Sequence, residues 1–259
     1  MVNGEIISND RLKGDYFVVK FHTPEIAAKA MAGQFVHVQI TRGRDHILRR
    51  PFSIHRVDGD TLTVVYKVVG KGTEVLAARR PGDVCDLLGP LGRGFSVPDD
   101  DVFPVLVAGG YGAAATYLLT RQAPKKGCFL LGARSETDIL LEDFYKAAGY
   151  DVRLATNDGS VGHKGFVTEL IDGVLKDYPD EKLFFYGCGP HPMLMALAKL
   201  LDQKGLDGQL SIDHLMCCGV GACFACVVKM KADNADGWEY KRACHDGPVF
   251  DLKDVYLED

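Results

Sequence analysis

Neither sign of charge is in excess along this 259-residue chain: 30 lysines and arginines stand against 35 aspartates and glutamates, a net charge of −5 and a pI near 5.9. Phosphate-backbone binding draws on a large basic surplus, so nucleic acid is excluded as a main partner. The opening M-V-N-G-E-I-I-S has no basic stretch leading into an apolar core and cleavage site, so no secretory signal is visible and a reducing cytoplasm is the expected compartment. Internal repeats and low-complexity tracts are missing, which rules out disorder and collagen-like structure. The long uncharged run Val102 to Thr120 is no membrane span, because Gly109, Gly110 and Gly112 divide it into strand, turn and helix. No membrane partner is expected.

What is present is ordinary core material, 47% hydrophobic and 25% charged, at a length that suits two domains and a small appendage. The first hundred residues read as short strands between turn signals: Tyr16 to His22, Phe35 to Thr41, Pro51 to Arg56 and Thr61 to Val69, with a hairpin signal at Asp58-Gly59-Asp60. That is barrel or sandwich texture, ending at a joint near Val97-Pro98. From Val102 strands and helices alternate: strands 102–108, 128–133, 151–156 and 182–187, helices 113–122, 138–148, 165–176 and 190–204. Such alternation implies βαβ units and a parallel sheet. Periodicity fades beyond Gly205. The fold class is thus α+β multidomain, with an antiparallel β-barrel over 1–99, an α/β parallel-sheet nucleotide-binding domain over 100–205, and a small domain over 206–259.

Five of the eight cysteines fall in that last stretch. Cys218-G-V-G-A-Cys223-F-A-Cys226, followed after 17 residues by Cys244, has the C-x4-C-x2-C spacing of plant-type [2Fe–2S] ferredoxins. Small residues between the thiols let the backbone wrap closely around inorganic sulfide. Four cysteines also suit zinc, but zinc sites favour two C-x2-C pairs over three thiols in one loop. Cys217, adjacent to Cys218, is either a substitute ligand or a small buried side chain, and the second reading is favoured because only Cys218 gives the x4 spacing; the scattered Cys85, Cys128 and Cys188 read as small core residues. A segment so loop-rich would be held by its metal centre and only loosely attached.

Arg50-Pro51-Phe52-Ser53 opens a barrel strand, where an arginine beside an aromatic and a hydroxyl can clamp phosphate and contact a planar ring. Val65-Tyr66-Lys67 ends a later strand, and Gly70-Lys71-Gly72-Thr73 opens a helix whose N–H groups suit a pyrophosphate. In the α/β half, Gly109-Gly110-Tyr111-Gly112, Asn157-Asp158 and Cys188-Gly189-Pro190 each follow a strand at one sheet edge, where a cleft for a dinucleotide would form.

The ordered set R-P-F-S, G-K-G-T, G-P-L-G-R-G-F (Gly89 to Phe95), A-G-G-Y-G, T-N-D-G, C-G-P with Met193, and C-H-D-G-P-V-F (Cys244 to Phe250) resembles the electron-transfer subunits of NAD-dependent dihydroorotate dehydrogenases, in the ferredoxin reductase superfamily. The resemblance spans nearly the whole chain. It implies FAD on Arg50 to Ser53, Val65 to Lys67 and Gly72-Thr73. It further implies NAD(H) at the sheet edge, a [2Fe–2S] cluster on Cys218, Cys223, Cys226 and Cys244, and a two-plus-two heterotetramer with an FMN-containing catalytic subunit. The nucleotide loop departs from the family's G-G-G-I-G-x-x-P at Ala108, Tyr111 and Ala115. Arg134-Ser135 could receive a 2′-phosphate that Glu136 would repel, and the resemblance favours NAD. The expected reaction is electron transfer with no general base. A related reductase subunit serving a hydrogenase, a sulfide-linked oxidoreductase or an oxygenase is the nearest rival; a zinc-held scaffold is the other.

Overall fold

The computed structural model describes residues 1–41, 47–212 and 215–257. Six antiparallel strands, β1 (Val2–Lys13), β2 (Tyr16–His22), β3 (Phe35–Gln39), β4 (Arg50–Asp58), β5 (Thr61–Lys67) and β6 (Val84–Leu91), close into a barrel in the order β1-β2-β5-β4-β3-β6. Four of these match expected strands. Sequence alternation missed β1 and β6. In β1 only Gly4 and Ile6 are buried, and the remainder, including Glu5, Asp10 and Arg11, faces outward or is half covered, so the hydrophobic signal is too sparse to read. Closure supplies what the pattern lacks: β1 bonds to β2 on one side and β6 on the other, which leaves the barrel without edges.

The second unit is a seven-stranded sheet. Its parallel strands are β7 (Val102–Gly109), β8 (Cys128–Ala133), β9 (Asp151–Thr156), β10 (His163–Lys164), β11 (Lys182–Cys188) and β12 (Gly208–Ser211). Every residue of β7 is buried, as a central strand covered on both faces requires. The predicted helix over 113–122 is two short helices, Ala113–Thr116 and Leu119–Gln122. The helix expected over 138–148 is confined to Glu142–Ala147, because Leu141, at φ 64°, turns the backbone left-handed just before it. No helix among the described residues is long and apolar enough to cross a membrane.

The chain beyond 205 is tied to this sheet at both ends. After β12 come the cysteine loop and the hairpin β13 (Val227–Lys231) and β14 (Trp238–Arg242); then β15 (Val249–Asp251) returns antiparallel to β12 and completes the sheet order β10-β9-β8-β7-β11-β12-β15. The expectation of a loosely attached appendage is therefore corrected. Strands of four and three residues are too short to show periodicity, although Leu210 and Val249 are fully buried. The returning segment also grips the barrel: Arg93 N donates to Gly247 O at 2.5 Å, which joins the G-P-L-G-R-G-F and C-H-D-G-P-V-F motifs in space.

Barrel and sheet meet along β4. His55, 2% exposed, lies 3.3 Å through Nδ1 from the Ala114 carbonyl, with its ring 4.7 Å from that of Tyr117. Burial holds this imidazole neutral, down to about 4. Lys13 Nζ donates to the Glu136 carbonyl at 2.6 Å and Tyr16 Oη to Asp138 at 3.0 Å, which fastens the far side of the same junction.

Candidate functional site

Three constellations line this junction. The first is on the barrel, where Arg50 reaches the helix Lys71–Ala77. A Cβ on Gly72 would stand 3.0 Å from Arg50 Nε and Nη2, so the guanidinium packs closely against this glycine. Thr73 braces the turn from within: its Oγ1 accepts from Val69 N at 2.9 Å and donates to Gly70 O at 2.8 Å. Pro51, Phe52 and Ser53 are half-buried on β4. Val65 and Tyr66 are buried, and the Tyr66 hydroxyl is engaged by Asn9 at 3.0 Å, so a ligand could meet only the backbone of those two. Lys67 is committed to Tyr16 at 3.3 Å and Asp138 at 3.7 Å.

The second constellation is at the sheet edge. The chain runs from β7 outward to β8 and β9, then crosses back to place β11 on the other side of β7, so the topological switch point lies between β7 and β11. Gly109–Gly112 and Cys188–Pro190 leave these two strands and touch. A Cβ on Gly112 would fall 2.3 Å from the Cys188 carbonyl oxygen, and one on Gly109 would fall 2.6 Å from Pro190 Cδ. Tyr111 projects outward, 52% exposed, while Cys188 is buried. Asn157 and Asp158 stand apart from this pair, above β8 and β9: Asp158 N donates to Arg134 O, and its carboxylate accepts from Ser160 N at 2.9 Å and Oγ at 2.7 Å.

The tightness at Gly112 gives a direct test. In Gly112→Ala the clash is with backbone that cannot swing aside, so the variant should lose about 1–3 kcal/mol, lowering the thermal midpoint by roughly 5 °C. A melting curve identical to wild type would show that the loops separate freely.

The third constellation is the cysteine loop. None of the eight cysteines is in a disulfide. The four thiols lie close enough to act on one another: Cys218 feels Cys223, and Cys244 feels both Cys226 and Cys218. Among the described residues no three His, Cys, Asp or Glu side chains surround a single metal-ion position. A binuclear centre takes four thiolates, two on each iron. Backbone N–H groups already aim at the sulfurs: Val220 N at Cys218 Sγ, 3.5 Å, Gly221 N at Cys244 Sγ, 3.2 Å, and Cys244 N at Cys226 Sγ, 3.4 Å. Burial alone would push the Cys218 thiol up, but donors from Val220, Cys223 and Ala222 bring it down to about 6. Burial and the Cys226 contact push Cys244 up to about 12. Arg242 steadies the loop, donating to Gly221 O at 3.2 Å and pairing with Asp246, whose carboxyl it holds well below the usual range. Cys217 is half-buried beside Cys218.

The three constellations are linked by one strand. At its Arg50 end, Pro51 of β4 pairs with His37 of β3, and His37 packs against Gly219 of the cysteine loop. Further along, His55 of β4 contacts Ala114, just past Gly112. No motif marks His37; the signal the sequence offers is a polar residue between the apolar Phe35-Val36 and Val38.

Comparison with known proteins agrees with this arrangement. Residues 213–256 match the iron–sulfur cluster binding domain of dihydroorotate dehydrogenase B. The solved structure of an NADH-dependent reduced ferredoxin-NADP oxidoreductase, studied for flavin-based electron bifurcation, superposes with a TM-score of 0.84 at 27% identity, over 99% of this chain and 91% of that one. Barrel, switched sheet and cysteine loop thus define a ferredoxin reductase-like oxidoreductase with an iron–sulfur domain. Among relatives, the dihydroorotate dehydrogenase B (NAD(+)) electron transfer subunit of Fusobacterium nucleatum is 41% identical over 258 residues, 96% of this chain and 92% of that protein. The same subunit of Desulforamulus reducens is 39% identical over 249 residues, 93% of each. The chain belongs to the family of dihydroorotate dehydrogenase B (NAD(+)) electron transfer subunits.

Proposed function

We propose that this chain carries electrons between NAD(H) and the FMN-containing catalytic subunit of a dihydroorotate dehydrogenase, through FAD on the barrel and a [2Fe–2S] cluster on Cys218, Cys223, Cys226 and Cys244. The observation that carries this reading is the position of β4, with the nucleotide-side helix against one end and the cysteine loop behind the other. When bound, FAD takes two electrons together and releases them singly, while the cluster carries one at a time.

The protein's own part is placement. Arg50, packed on Gly72, would offer its donors to a pyrophosphate, and Phe52 and Ser53, half-buried on the same strand, would help hold the flavin. The loops Gly109–Gly112 and Cys188–Pro190, packed together at the switch point of the sheet, would receive the dinucleotide, with Gly110 open to it. Four thiols gathered on one loop and its return supply the donor set of a binuclear cluster, and the backbone donors at their sulfurs would offset its negative charge. The partner and the two-plus-two assembly follow from the family and are part of the proposal.

The deciding experiment is an anaerobic NADH titration of the complex purified with its catalytic subunit, using dihydroorotate and orotate as substrates. Bleaching of flavin and cluster bands, coupled to orotate turnover, is the expected result. Flavin reduction without orotate-linked turnover would retire the named reaction and favour another redox partner.

A further inference from the structure

The proposed relay makes no use of His37, which is fully buried at 0% exposure. Neither Nδ1 nor Nε2 has a hydrogen-bond partner among the described residues. An imidazole at neutral pH carries an N–H and a lone pair, and leaving such a group dry and unpaired costs about 1–3 kcal/mol. Buried polar atoms are seldom left so without a reason.

The surroundings narrow that reason. On β3 the residue pairs with Pro51 of β4 on one side and Leu88 of β6 on the other. Phe35 meets the ring edge-on at 5.6 Å between centroids. Arg49, the nearby cation, is already paired with Asp86 at 2.8 Å. Among the described residues, the cysteine loop also lies against the ring. A Cβ built on Gly219 would stand 2.8 Å from both His37 Nδ1 and Cε1, so the ring edge lies directly on the residue that follows Cys218. At φ 71° Gly219 is also left-handed, and any side chain there would be strained as well as blocked. The loop is built to admit this imidazole.

We infer that His37 donates a ring N–H hydrogen bond to a sulfur of the iron–sulfur centre on this loop and thereby raises the centre's reduction potential. The inference rests on the [2Fe–2S] reading of the four cysteines. Its sign follows from charge: one-electron reduction adds a negative charge to the centre, so a donor aimed at sulfur stabilises the reduced form more than the oxidised one. A neutral ring does this without placing a cation in the interior. Of the two cofactor stations, His37 favours the cluster, since the edge bearing Nδ1 touches its loop.

The test uses His37→Phe, which keeps ring volume and removes both nitrogens, and His37→Gln, which keeps an N–H, each in the complex with the catalytic subunit. In a redox titration followed by electron paramagnetic resonance, His37→Phe should disfavour cluster reduction about tenfold, or about 59 mV for one electron. His37→Gln should recover part of that loss. Selective 15N-histidine labelling provides a second readout that does not depend on His37→Phe folding: the reduced wild-type centre should couple to a histidine nitrogen, and the coupling should vanish in His37→Gln. An unchanged potential in His37→Phe, or no histidine-nitrogen coupling in a wild type that holds its cluster, would overturn the inference. A wild type without a [2Fe–2S] signal would overturn the cluster reading itself, and the inference with it.

Discussion

Cys226→Ser should abolish electron delivery to the catalytic subunit while leaving NADH-driven flavin reduction close to wild type. Cys226 is buried, its sulfur accepts the Cys244 backbone N–H at 3.4 Å, and its thiol acts on that of Cys244. A serine hydroxyl there is a poor ligand for iron, and the four-thiolate set would be broken. Because metal binding also organises a loop-rich segment, the damage should extend to the whole cluster. The expected loss in orotate-linked turnover is about a thousandfold, or about 4 kcal/mol in barrier. Flavin reduction is insulated from this change because Arg50, Gly72 and the two nucleotide loops lie on other elements. The control is the neighbouring thiol: Cys217→Ser should keep the visible cluster spectrum and turnover, since only Cys218 has the x4 spacing to Cys223. Loss of the cluster in Cys217→Ser and its retention in Cys218→Ser would reverse the assignment.

Arg50→Ala is expected to weaken FAD binding about a hundredfold, the effect of removing a charge-assisted, forked contact to phosphate at a half-exposed position. Fluorescence titration of flavin-depleted protein measures this directly. Arg50→Lys should fall between the two, because lysine keeps the charge but loses the planar fork that lies on Gly72. Gly72→Ala offers a companion test from the other side of the contact: its Cβ would displace the guanidinium, so affinity should fall although the arginine remains. Unchanged FAD affinity in both Arg50→Ala and Gly72→Ala would move the pyrophosphate site away from this helix.

The legible parts of the fold were those in which a local pattern runs long enough to be repeated. Strands β2, β8 and β9 match their predicted bounds: β2 and β8 are dense apolar runs, and β9, Asp-Val-Arg-Leu-Ala-Thr, ends at the turn signal Asn157-Asp158-Gly159. The helix His191–Gln203 is similarly clear, with Leu194, Leu197, Ala198 and Leu201 buried at helical spacing. Illegible were β1, where outward-facing polar residues dilute the alternation, and β12 and β15, which are too short to alternate. Within the site, the cysteines and Arg50 were marked by motif. Tyr66 belonged to a motif but is a barrel-core residue, and Asn157-Asp158 followed a strand of the right sheet two strands away from the switch point.

By itself the sequence determined the chemistry available: four thiols at iron–sulfur spacing, an arginine beside an aromatic and a serine, glycine turns after apolar strands, and no charge surplus to bind nucleic acid. These are local properties, carried by residue type and by distances along the chain. Only the tertiary structure decided which of them meet. Barrel closure put His37 beside Pro51, the return of β15 anchored the cysteine loop, and packing set Gly219 on the imidazole and Gly112 on the Cys188 carbonyl. Contacts of that kind join residues dozens to hundreds of positions apart. They depend on how whole elements bury their apolar faces, which no short window of sequence records.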